Sequence, residues 1–521
     1  MRRGHRVTTG TSILPHPHRV RPLGSRLLSD DISLREVPGA LGSLRSLPDE
    51  LLVQIFGLVS AKELARCAGT SRAMRVLAHF EEFWKARMLE ELPDDERLRY
   101  HAGGWRCTYL AWQHRQSGPT RQSETNEPPF LADLGPSEQY YYSDVLFAPW
   151  HCGTAAIPPH WSRVQSVTRV DASELSVADF ATRFEVPGTP VVIRGVVEKW
   201  PAYHSWTEAQ LRTRFGNGPG FHVGGHTMGL EDFFDYCHST HDEQPLYLFD
   251  KRFGETSACG GADEGLAADY VVPTYFDASR DLFASLKSPH RPDHRWLIAG
   301  GSRSGSSWHV DPNKTCAWNA CVVGRKKWIL CPPGKPPPGV DASADGITVT
   351  SPVSLYEWFR VFYSSLRELQ REGETTSASD GGKGDLACLE VTVEAGEILF
   401  VPAGWWHCCL NLEPSIAITQ NYAPFSSGRS ILNYFRYGGD SDGLHVSGIP
   451  LSARPSMAGA FADVLAAVCP QALMPEAATE AVAGSDAGAK VSAVHHERSA
   501  AKLGLMGSAE EQGTGFSFGF G

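Results

Sequence analysis

Amphipathic helical segments lead the chain, and short apolar runs typical of strands follow from about residue 140. Residues 46–84, SLPDELLVQIFGLVSAKELARCAGTSRAMRVLAHFEEFW, carry apolar side chains at helical spacing. Ser46 or Asp49 can cap the first helix, and residues 62–67 and 71–84 supply the next ones. The pattern predicts a small helical bundle.

Beyond residue 140 strand patterns and helix patterns are mixed. The runs TPVVIRGVV, PLYLFD, HRWLIAG and RKKWILCP, which begin at residues 189, 245, 294 and 325, predict strands. LSVADFATRF and WTEAQLRTRF predict helices, the second opened by Thr207. A second, mixed domain is therefore expected after the helical bundle.

Shifts in composition mark the boundaries of the predicted units. Residues 1–44 are expected to form a disordered tail, since their arginine-rich start lacks acidic residues. A helical extension and a linker follow the bundle at 91–139, and 436–521 is expected to be mostly disordered apart from a helix near 457–468. The low-complexity patch EGETTSASDGGKGD, from residue 372, predicts a surface loop.

Charge and composition exclude some classes of protein. The 521 residues carry a formal net charge of -11, with 42% hydrophobic and 21% charged residues, as expected for two or three globular units. We expect no membrane span, no signal peptide and no specific nucleic-acid binding, and hence an intracellular protein. The twelve cysteines lack paired C-x-x-C spacing, so we expect reduced thiols and no zinc site built from them.

Two segments carry the candidate metal chemistry. In SSWHVDPNK, from residue 306, His309 and Asp311 are two positions apart, so a strand would point both side chains to one face. GEILFVPAGWWHCCLNL, from residue 396, predicts a strand, a turn and a returning strand that carries His407. An H-x-D pair alone is often structural, but two histidines and one carboxylate are the ligands of non-haem Fe(II) oxygenases. Zinc is the rival ion, although it favours thiolates or three histidines.

Lys326 is a candidate for binding an anion. A surface lysine is the ordinary interpretation of such a residue, and we expect Lys327 to be one. If Lys326 points inward among apolar side chains, its ammonium requires an anionic partner. The far carboxylate of a dicarboxylate cosubstrate, 2-oxoglutarate, would supply that partner.

Residues 45–90 resemble an F-box, although apolar helical spacing alone also fits a bundle without a special role. The likeness implies docking to the adaptor of a cullin-type ubiquitin ligase. It is carried by Leu47, Pro48, Leu51, Ile55, Phe56, Leu64, Cys67 and Trp84.

The segments SSWHVDPNKTCAWNACVVGRKKWILCPP and AGEILFVPAGWWHCCLNLEPSIAITQNYA resemble the two core motifs of the JmjC oxygenases. They are most similar to the bifunctional arginine demethylases and lysyl hydroxylases once called phosphatidylserine receptors. The likeness runs from Tyr140 to Tyr422, within a domain at 140–435. It implies an α+β fold class, with a double-stranded β-helix of the cupin or jelly-roll form, surrounding helices, and a small all-α F-box in front.

The same resemblance implies roles for individual residues. Thr419 and Asn411 could instead be hydrogen-bonded groups of the core. The implied ligands of iron are His309, Asp311 and His407, and the implied contacts of 2-oxoglutarate are Lys326, Thr419, Asn319, Tyr247, Ser306 and Asn411.

The chain departs from that subgroup in three ways. It has an F-box in front, as in plant and algal proteins that join F-box and JmjC domains. It also has an acidic insertion before the second motif, and its tail lacks basic and serine-rich runs. These departures put a nuclear location and a histone substrate in doubt, so that the nucleus is favoured over the cytoplasm only by the resemblance.

The implied activity is that of a dioxygenase that uses Fe(II), 2-oxoglutarate and O2 on a protein substrate. Lysyl hydroxylation and demethylation of methyl-arginine or methyl-lysine both remain open, because they use the same iron chemistry. The alternative is a non-catalytic F-box substrate receptor, whose β-helix only binds a target for ubiquitylation.

Overall fold

A computed structural model describes most of the chain. The expected linker residues 118–138 lie outside the described residues, as do the chain ends. In the described part, no helix combines the length and the apolarity needed to cross a bilayer. The described residues are 14–28, 30–117, 139–216, 218, 220–254, 265–343, 346, 348–380, 388–438, 444, 446 and 448–474.

The helices of the described residues fall into an N-terminal group and a group that surrounds the sheets. In chain order they are α1 Asp49–Leu58, α2 Ala61–Ala68, α3 Arg72–Ala78, α4 Glu81–Glu91, α5 Trp105–Gln116, α6 Asp144–Thr154, α7 Val177–Phe180, α8 Pro201–Ser205, α9 Glu208–Phe215, α10 Leu230–Ser239, α11 Leu355–Val361, α12 Tyr363–Asp380, α13 Gly428–Tyr437 and α14 Met457–Val468.

The strands lie mainly in the second half of the chain. In chain order they are β1 Val20–Arg21, β2 Ile32–Ser33, β3 Gln139–Tyr142, β4 Thr168–Asp171, β5 Val191–Arg194, β6 Phe221–Val223, β7 His226–Met228, β8 Leu248–Asp250, β9 Arg295–Gly300, β10 Gly305–His309, β11 Cys316–Val323, β12 Arg325–Cys331, β13 Asp341–Ala342, β14 Val349–Thr350, β15 Leu389–Glu394, β16 Ile398–Val401, β17 Trp406–Asn411 and β18 Ser415–Tyr422.

Helices α1 to α4 form the predicted bundle. Ser60 and Glu63 close a capping box at the start of α2, in which each side chain bonds the backbone N–H of the other residue. Leu52 and Phe56 of α1 are buried in the bundle. An adjacent face of α1 leaves an apolar stripe in solvent, formed by Leu51, Ile55 and Leu58, which are 43%, 39% and 89% exposed.

The prediction of a disordered tail over 1–44 is wrong for its described part. Strands β1 and β2 pair in parallel with the two edges of β3, which follows the bundle in sequence. Val20, Leu34 and Leu41 are buried, because they cover apolar surface of the bundle. Burial of these few apolar side chains is enough to order the segment despite its arginine-rich composition. The strand pairing joins the chain before the bundle to the chain after it.

Two sheets face each other in the second domain. The smaller has the strand order β10-β17-β12-β15, and the larger has the order β4-β5-β16-β11-β18-β9-β8-β6-β7. Val192 and Leu399 of the larger sheet pack against Trp328, Leu330 and Val391 of the smaller one. This confirms the double-stranded β-helix with surrounding helices, and with it the α+β fold class.

Direct contacts join the bundle to the second domain. Trp105 Nε1 on α5 donates a hydrogen bond to Asp242 Oδ1 at 2.8 Å. Lys85 Nζ on α4 donates to the carbonyl of Gln244 at 2.8 Å, and the N–H of Leu98 donates to the carbonyl of Thr227 at 2.9 Å. The bundle is thus attached through buried polar contacts as well as through the chain.

The C-terminal region contains the expected helix as α14. Phe461 and Leu465 of α14 pack with Ile431 of α13 and Phe283. The stretch 475–521, which was expected to be disordered, lies outside the described residues.

Two further expectations are wrong in detail. Helix α12 continues to Asp380, so the first part of the patch at 372 is helical rather than a loop; Tyr363 and Leu366 anchor its start in the core, and good helix formers follow. Cys331 and Cys388 form a disulfide rather than free thiols. The register of β12 and β15, which places Leu330 opposite Leu389, brings these cysteines together across neighbouring strands.

Lys327 is buried, which contradicts its expected place on the surface. Its Nζ lies 2.7 Å from Oε2 of Glu390, and neither side chain is exposed. Glu390 also accepts hydrogen bonds from the hydroxyl of Tyr363 at 2.9 Å and from Arg367 at 3.0 Å. Helix α12 therefore covers the outer face of β12, where Lys327 was expected to be exposed to solvent.

We expect Glu390→Gln to lower the free energy of unfolding by about 3 kcal/mol, because it leaves the buried ammonium of Lys327 without its counter-charge. Urea unfolding followed by tryptophan fluorescence would measure the loss. Glu394→Gln, on the same strand with its side chain 51% exposed, is the control and should change stability by less than about 1 kcal/mol. Equal effects of the two substitutions would contradict the structural importance of the pair.

Candidate metal centre

Three side chains meet at one end of the smaller sheet. His309 is the last residue of β10 and lies directly opposite His407 on β17, with the two ring centroids 4.2 Å apart. Asp311 follows β10 rather than belonging to it, but its carboxylate still lies beside the rings, with Oδ2 3.9 Å from Nε2 of His407. One ligand atom from each of the three residues lies within 4.8 Å of the other two.

Close approach of β10 and β17 depends on a glycine. Gly305 opens β10 with a φ of +148°, and a Cβ atom at this position would stand 1.9 Å from the carbonyl oxygen of Cys409 on β17. No side chain fits in that space, so glycine permits the pairing that brings His309 to His407.

Backbone carbonyls orient both imidazoles. Nδ1 of His309 lies 2.7 Å from the carbonyl oxygen of Ser307, and Nδ1 of His407 lies 2.9 Å from that of Trp405. A carbonyl oxygen accepts a hydrogen bond from an N–H group at Nδ1, so the lone pair of each neutral ring is on Nε2. Nε2 of His407 is 3.9 Å from Oδ2 of Asp311, and the donor atoms thus converge.

Burial sets the charges of the three groups. It lowers the pKa of His309 to about 4, with a further contribution from His407, and it lowers the pKa of His407 to about 4. Burial also raises the pKa of Asp311, whose Oδ2 is buried without a hydrogen-bond partner. Two neutral imidazoles and an unbalanced carboxylate oxygen fit a divalent cation that keeps open coordination positions.

Lys326, on the inner face of β12, is the centre of a second set of polar residues. Its fully buried Nζ donates to the hydroxyl oxygen of Tyr247 at 3.0 Å and to Oδ1 of Asn411 at 2.8 Å. The amide nitrogen of Asn411 in turn donates to Oγ of Ser304 at 3.0 Å, which fixes the orientation of the amide. Across the described ranges, no carboxylate pairs with this ammonium.

The remaining predicted residues lie on neighbouring strands. Asn319 on β11 is directly opposite Thr419 on β18, and its Oδ1 is buried without a hydrogen-bond partner. The hydroxyl of Thr419 donates to the carbonyl of Trp318 at 3.1 Å, as a core group would. Tyr247 packs with Ala417, two positions before Thr419 on the same strand, and Ser306 stands on β10 opposite Cys409. The structure therefore joins Lys326, Tyr247 and Asn411 by hydrogen bonds, whereas sheet register places the other three residues nearby.

Two residues near the site were not predicted. The ring of Trp328 stacks on His407 with centroids 5.9 Å apart. Asn421 lies beside Asp311 and donates from its amide nitrogen to Oγ1 of Thr315 at 2.9 Å. Strand periodicity could have found both, since they are two positions beyond Lys326 and Thr419 and so share their faces.

Comparisons with known proteins match the two domains. A cupin-like domain matches residues 177–428, and an F-box-like domain matches residues 44–90. The chain is 39% identical over 420 residues to the arginine-specific demethylase JMJ22 of Arabidopsis thaliana, which covers 80% of this chain and 76% of that protein.

Two other relatives match shorter stretches. The bifunctional arginine demethylase and lysyl-hydroxylase psr-1 of Caenorhabditis elegans is 34% identical over 270 residues, or 49% of this chain and 61% of that protein. The 2-oxoglutarate and iron-dependent oxygenase JMJD4 of Danio rerio is 34% identical over 156 residues, or 29% of this chain and 32% of that protein.

We expect His407→Ala to weaken the binding of Fe(II), measured anaerobically by isothermal titration, by at least about tenfold, because one of three ligands is lost. His204→Ala, which removes an exposed imidazole, should leave metal binding unchanged. Full metal affinity in the His407 variant would show that the three side chains do not act together on one ion.

Proposed function

This chain belongs to the JmjC family of Fe(II)- and 2-oxoglutarate-dependent dioxygenases and carries an F-box-like domain in front, and we propose that it oxidises side chains of a protein substrate. The reacting group is the side chain of lysine or an N-methyl group of arginine or lysine. Relatives named for arginine demethylation and for lysyl hydroxylation support this substrate class.

The observation that carries the proposal is the fully buried ammonium of Lys326 in the same β-helix as the three metal-type ligands. A buried ammonium without a carboxylate is unfavourable, and its hydroxyl and amide partners are neutral. An anionic ligand would balance this charge, while a divalent cation would balance Asp311. A dicarboxylate that also binds the metal meets both requirements.

Each residue then has a defined task. The chemistry that iron and 2-oxoglutarate supply together is the activation of O2, with release of CO2 and succinate and transfer of one oxygen atom to a C–H bond. His309, Asp311 and His407 would hold the metal. Lys326 and Tyr247 would hold the far carboxylate of the cosubstrate.

The remaining predicted contacts support the cosubstrate. Asn411 holds the ammonium of Lys326 in place, Asn319 and Thr419 line the adjoining strands, and Ser306 lines β10. Trp328 covers one side of His407 and helps to exclude water. Oxygen transfer to a lysine carbon gives hydroxylysine, whereas transfer to an N-methyl carbon gives a hydroxymethyl group that leaves as formaldehyde.

We also propose that the F-box binds a ubiquitin-ligase adaptor through the exposed stripe of α1. A non-catalytic receptor would use the same stripe and would bind its target on the β-helix. Such a receptor has no need of a buried unpaired ammonium beside three converging ligands, so the oxygenase is favoured. We place its action in the nucleus rather than the cytoplasm, on the basis of the subgroup that it resembles.

We expect Lys326→Met to raise the KM for 2-oxoglutarate about 10- to 100-fold, since a charge-assisted contact is lost. The stability of the protein without cosubstrate should be equal or higher, because an unbalanced buried charge is removed. Succinate formation and thermal unfolding measure the two effects, with the exposed Lys335→Met as control. An unchanged KM for 2-oxoglutarate in a folded variant would contradict the proposed role of this lysine.

Purified protein with Fe(II), ascorbate and 2-oxoglutarate should form succinate when a lysine-rich or a methyl-arginine peptide is added, and His407→Ala should not. A peptide that gains one oxygen atom indicates hydroxylation, and one that loses a methyl group with formaldehyde release indicates demethylation. Equal succinate from both proteins, with iron and cosubstrate shown to be bound, would favour the receptor.

We expect Ile55→Asp to weaken binding of a purified cullin-ligase adaptor more than about tenfold, because a charge replaces the centre of the apolar stripe. Succinate formation should be unaffected. Ala86→Asp, which introduces the same charge at an exposed position of α4, is the control. Adaptor binding that survives Ile55→Asp would place the docking surface elsewhere.

A further inference from the structure

A cavity lies where the bundle meets the β-helix domain, apart from the metal centre. We call it the junction cavity; its volume is about 300 Å³. The N-terminal segment, the start of α4, the start of α5 and the loop after α10 contribute its walls. The residues that matter here are Phe80, Glu81, Glu82, Tyr100, Trp105 and Asp242.

Two glutamates line the junction cavity. Oε2 of Glu81 accepts hydrogen bonds from the backbone N–H groups of Trp105 and Arg106, but Oε1 is buried and has no hydrogen-bond partner. Burial raises the pKa of Glu81 and of Glu82 to about 7, although Lys85 acts in the opposite direction on Glu82. Burial thus favours the neutral form of both glutamates, and a bound cation would favour their charged form.

Aromatic rings stand beside the two glutamates. Tyr100 and Trp105 meet edge to face, with centroids 5.2 Å apart and an interplanar angle of 72°. The face of such a ring attracts a cation, and more strongly where water is excluded. Lys85 shows the same pairing of a cation with a ring and a carboxylate, because its Nζ lies 5.9 Å from the Trp105 centroid and 3.1 Å from Oδ2 of Asp242.

The cations near the cavity have close contacts with other groups, and the histidines near it are neutral. Lys85 pairs with Asp242, and Arg106 extends over Trp84 at 5.9 Å. Burial lowers the pKa of the neighbouring His16 and His79 to about 3, so these imidazoles are neutral. In the part of the chain that the structure describes, neither Glu81 nor Glu82 therefore forms an ion pair within hydrogen-bond distance.

A metal ion is a poor occupant. In the described part of the chain, the three residues of the metal centre form the one group of histidine, cysteine and carboxylate side chains that converges tightly enough for an ion. Rings and separated carboxylates suit a larger cation with an apolar stem.

We propose that the junction cavity binds an organic cation, with an alkylammonium or guanidinium head group. Glu81 and Glu82 pair with the positive charge, and Phe80, Tyr100 and Trp105 surround it. A volume of about 300 Å³ fits a basic side chain or a small amine. The site shares no residue with the metal centre, and its cavity is lined by both domains.

Isothermal titration of the full-length protein without iron and 2-oxoglutarate tests this proposal. The probes are agmatine, as a free amine, and a short arginine-containing peptide. At least one probe should bind with a stoichiometry of one, and Glu82→Gln should weaken it about tenfold through loss of a charge-assisted contact. Glu90→Gln, an exposed position further along α4, is the matched control and should have no effect.

Two further variants separate this site from the metal centre and from misfolding. His407→Ala should retain the binding, because the junction cavity shares no residue with the metal centre. Ala102→Phe, at an exposed position of the cavity wall, should obstruct entry and weaken the probe without changing any charge. Thermal unfolding of each variant checks that the fold is intact.

The outcomes divide cleanly. Tighter binding of the peptide assigns the site to a protein side chain, and tighter binding of agmatine assigns it to a free amine; both support the proposal. Absence of binding by both probes, or equal binding by wild type, Glu82→Gln and Ala102→Phe, would overturn it. Binding that is lost in His407→Ala alone would also overturn it, because it would locate the cation at the metal centre.

Discussion

A positive charge buried without a counter-charge is the constraint on which the cupin-like domain depends. Lys326 and Lys327 are adjacent on β12 and equally inaccessible to solvent, but the strand sends them to opposite faces. Lys327 meets Glu390, so its charge is balanced within the protein. Lys326 meets the hydroxyl of Tyr247, the amide oxygen of Asn411 and the thiol of Cys409, with no carboxylate among the described residues. Asp311 at the metal centre has the opposite imbalance, since its Oδ2 has no hydrogen-bond partner there. Among the described residues, the β-helix thus contains both a buried ammonium without a carboxylate partner and a buried carboxylate oxygen without a hydrogen-bond partner, as a site for a metal and a dicarboxylate requires.

Sheet register converts this local imbalance into a site. Pairing of β10 with β17 brings the two histidines together, and pairing of β12 with β17 places Lys326 opposite Asn411. Both pairings use β17, so a one-residue shift of that strand would move its ligand and its amide to the wrong face. The surrounding apolar core holds the register, which explains why the polar residues of the site lie between the most buried strands.

The sequence pattern could identify much of the site, because the alternation of side chains along a strand is a local property. It could not show which residues are buried by segments that are distant in the sequence. His309, His407 and Lys326 could be selected because alternation and spacing are local properties of a strand. Lys327 could not be assigned, since its burial depends on α12, a helix that packs against β12 from another part of the chain. The β1 and β2 pairings were missed for the same reason, because their partner β3 is more than a hundred residues away. The junction cavity has no local signal, as its glutamates and rings come from separate elements.

In the small β1-β3-β2 sheet, the segment before the F-box pairs with the segment after it. The F-box is therefore held at both of its ends. A single tether allows a domain to pivot, but two parallel attachments together with the Trp105–Asp242 contact oppose rotation about either one. An adaptor seated on α1 would therefore have a set direction towards the β-helix. The distance and direction from the adaptor to the β-helix, as well as the affinity for the target, would then decide which lysines of a bound target face the ligase.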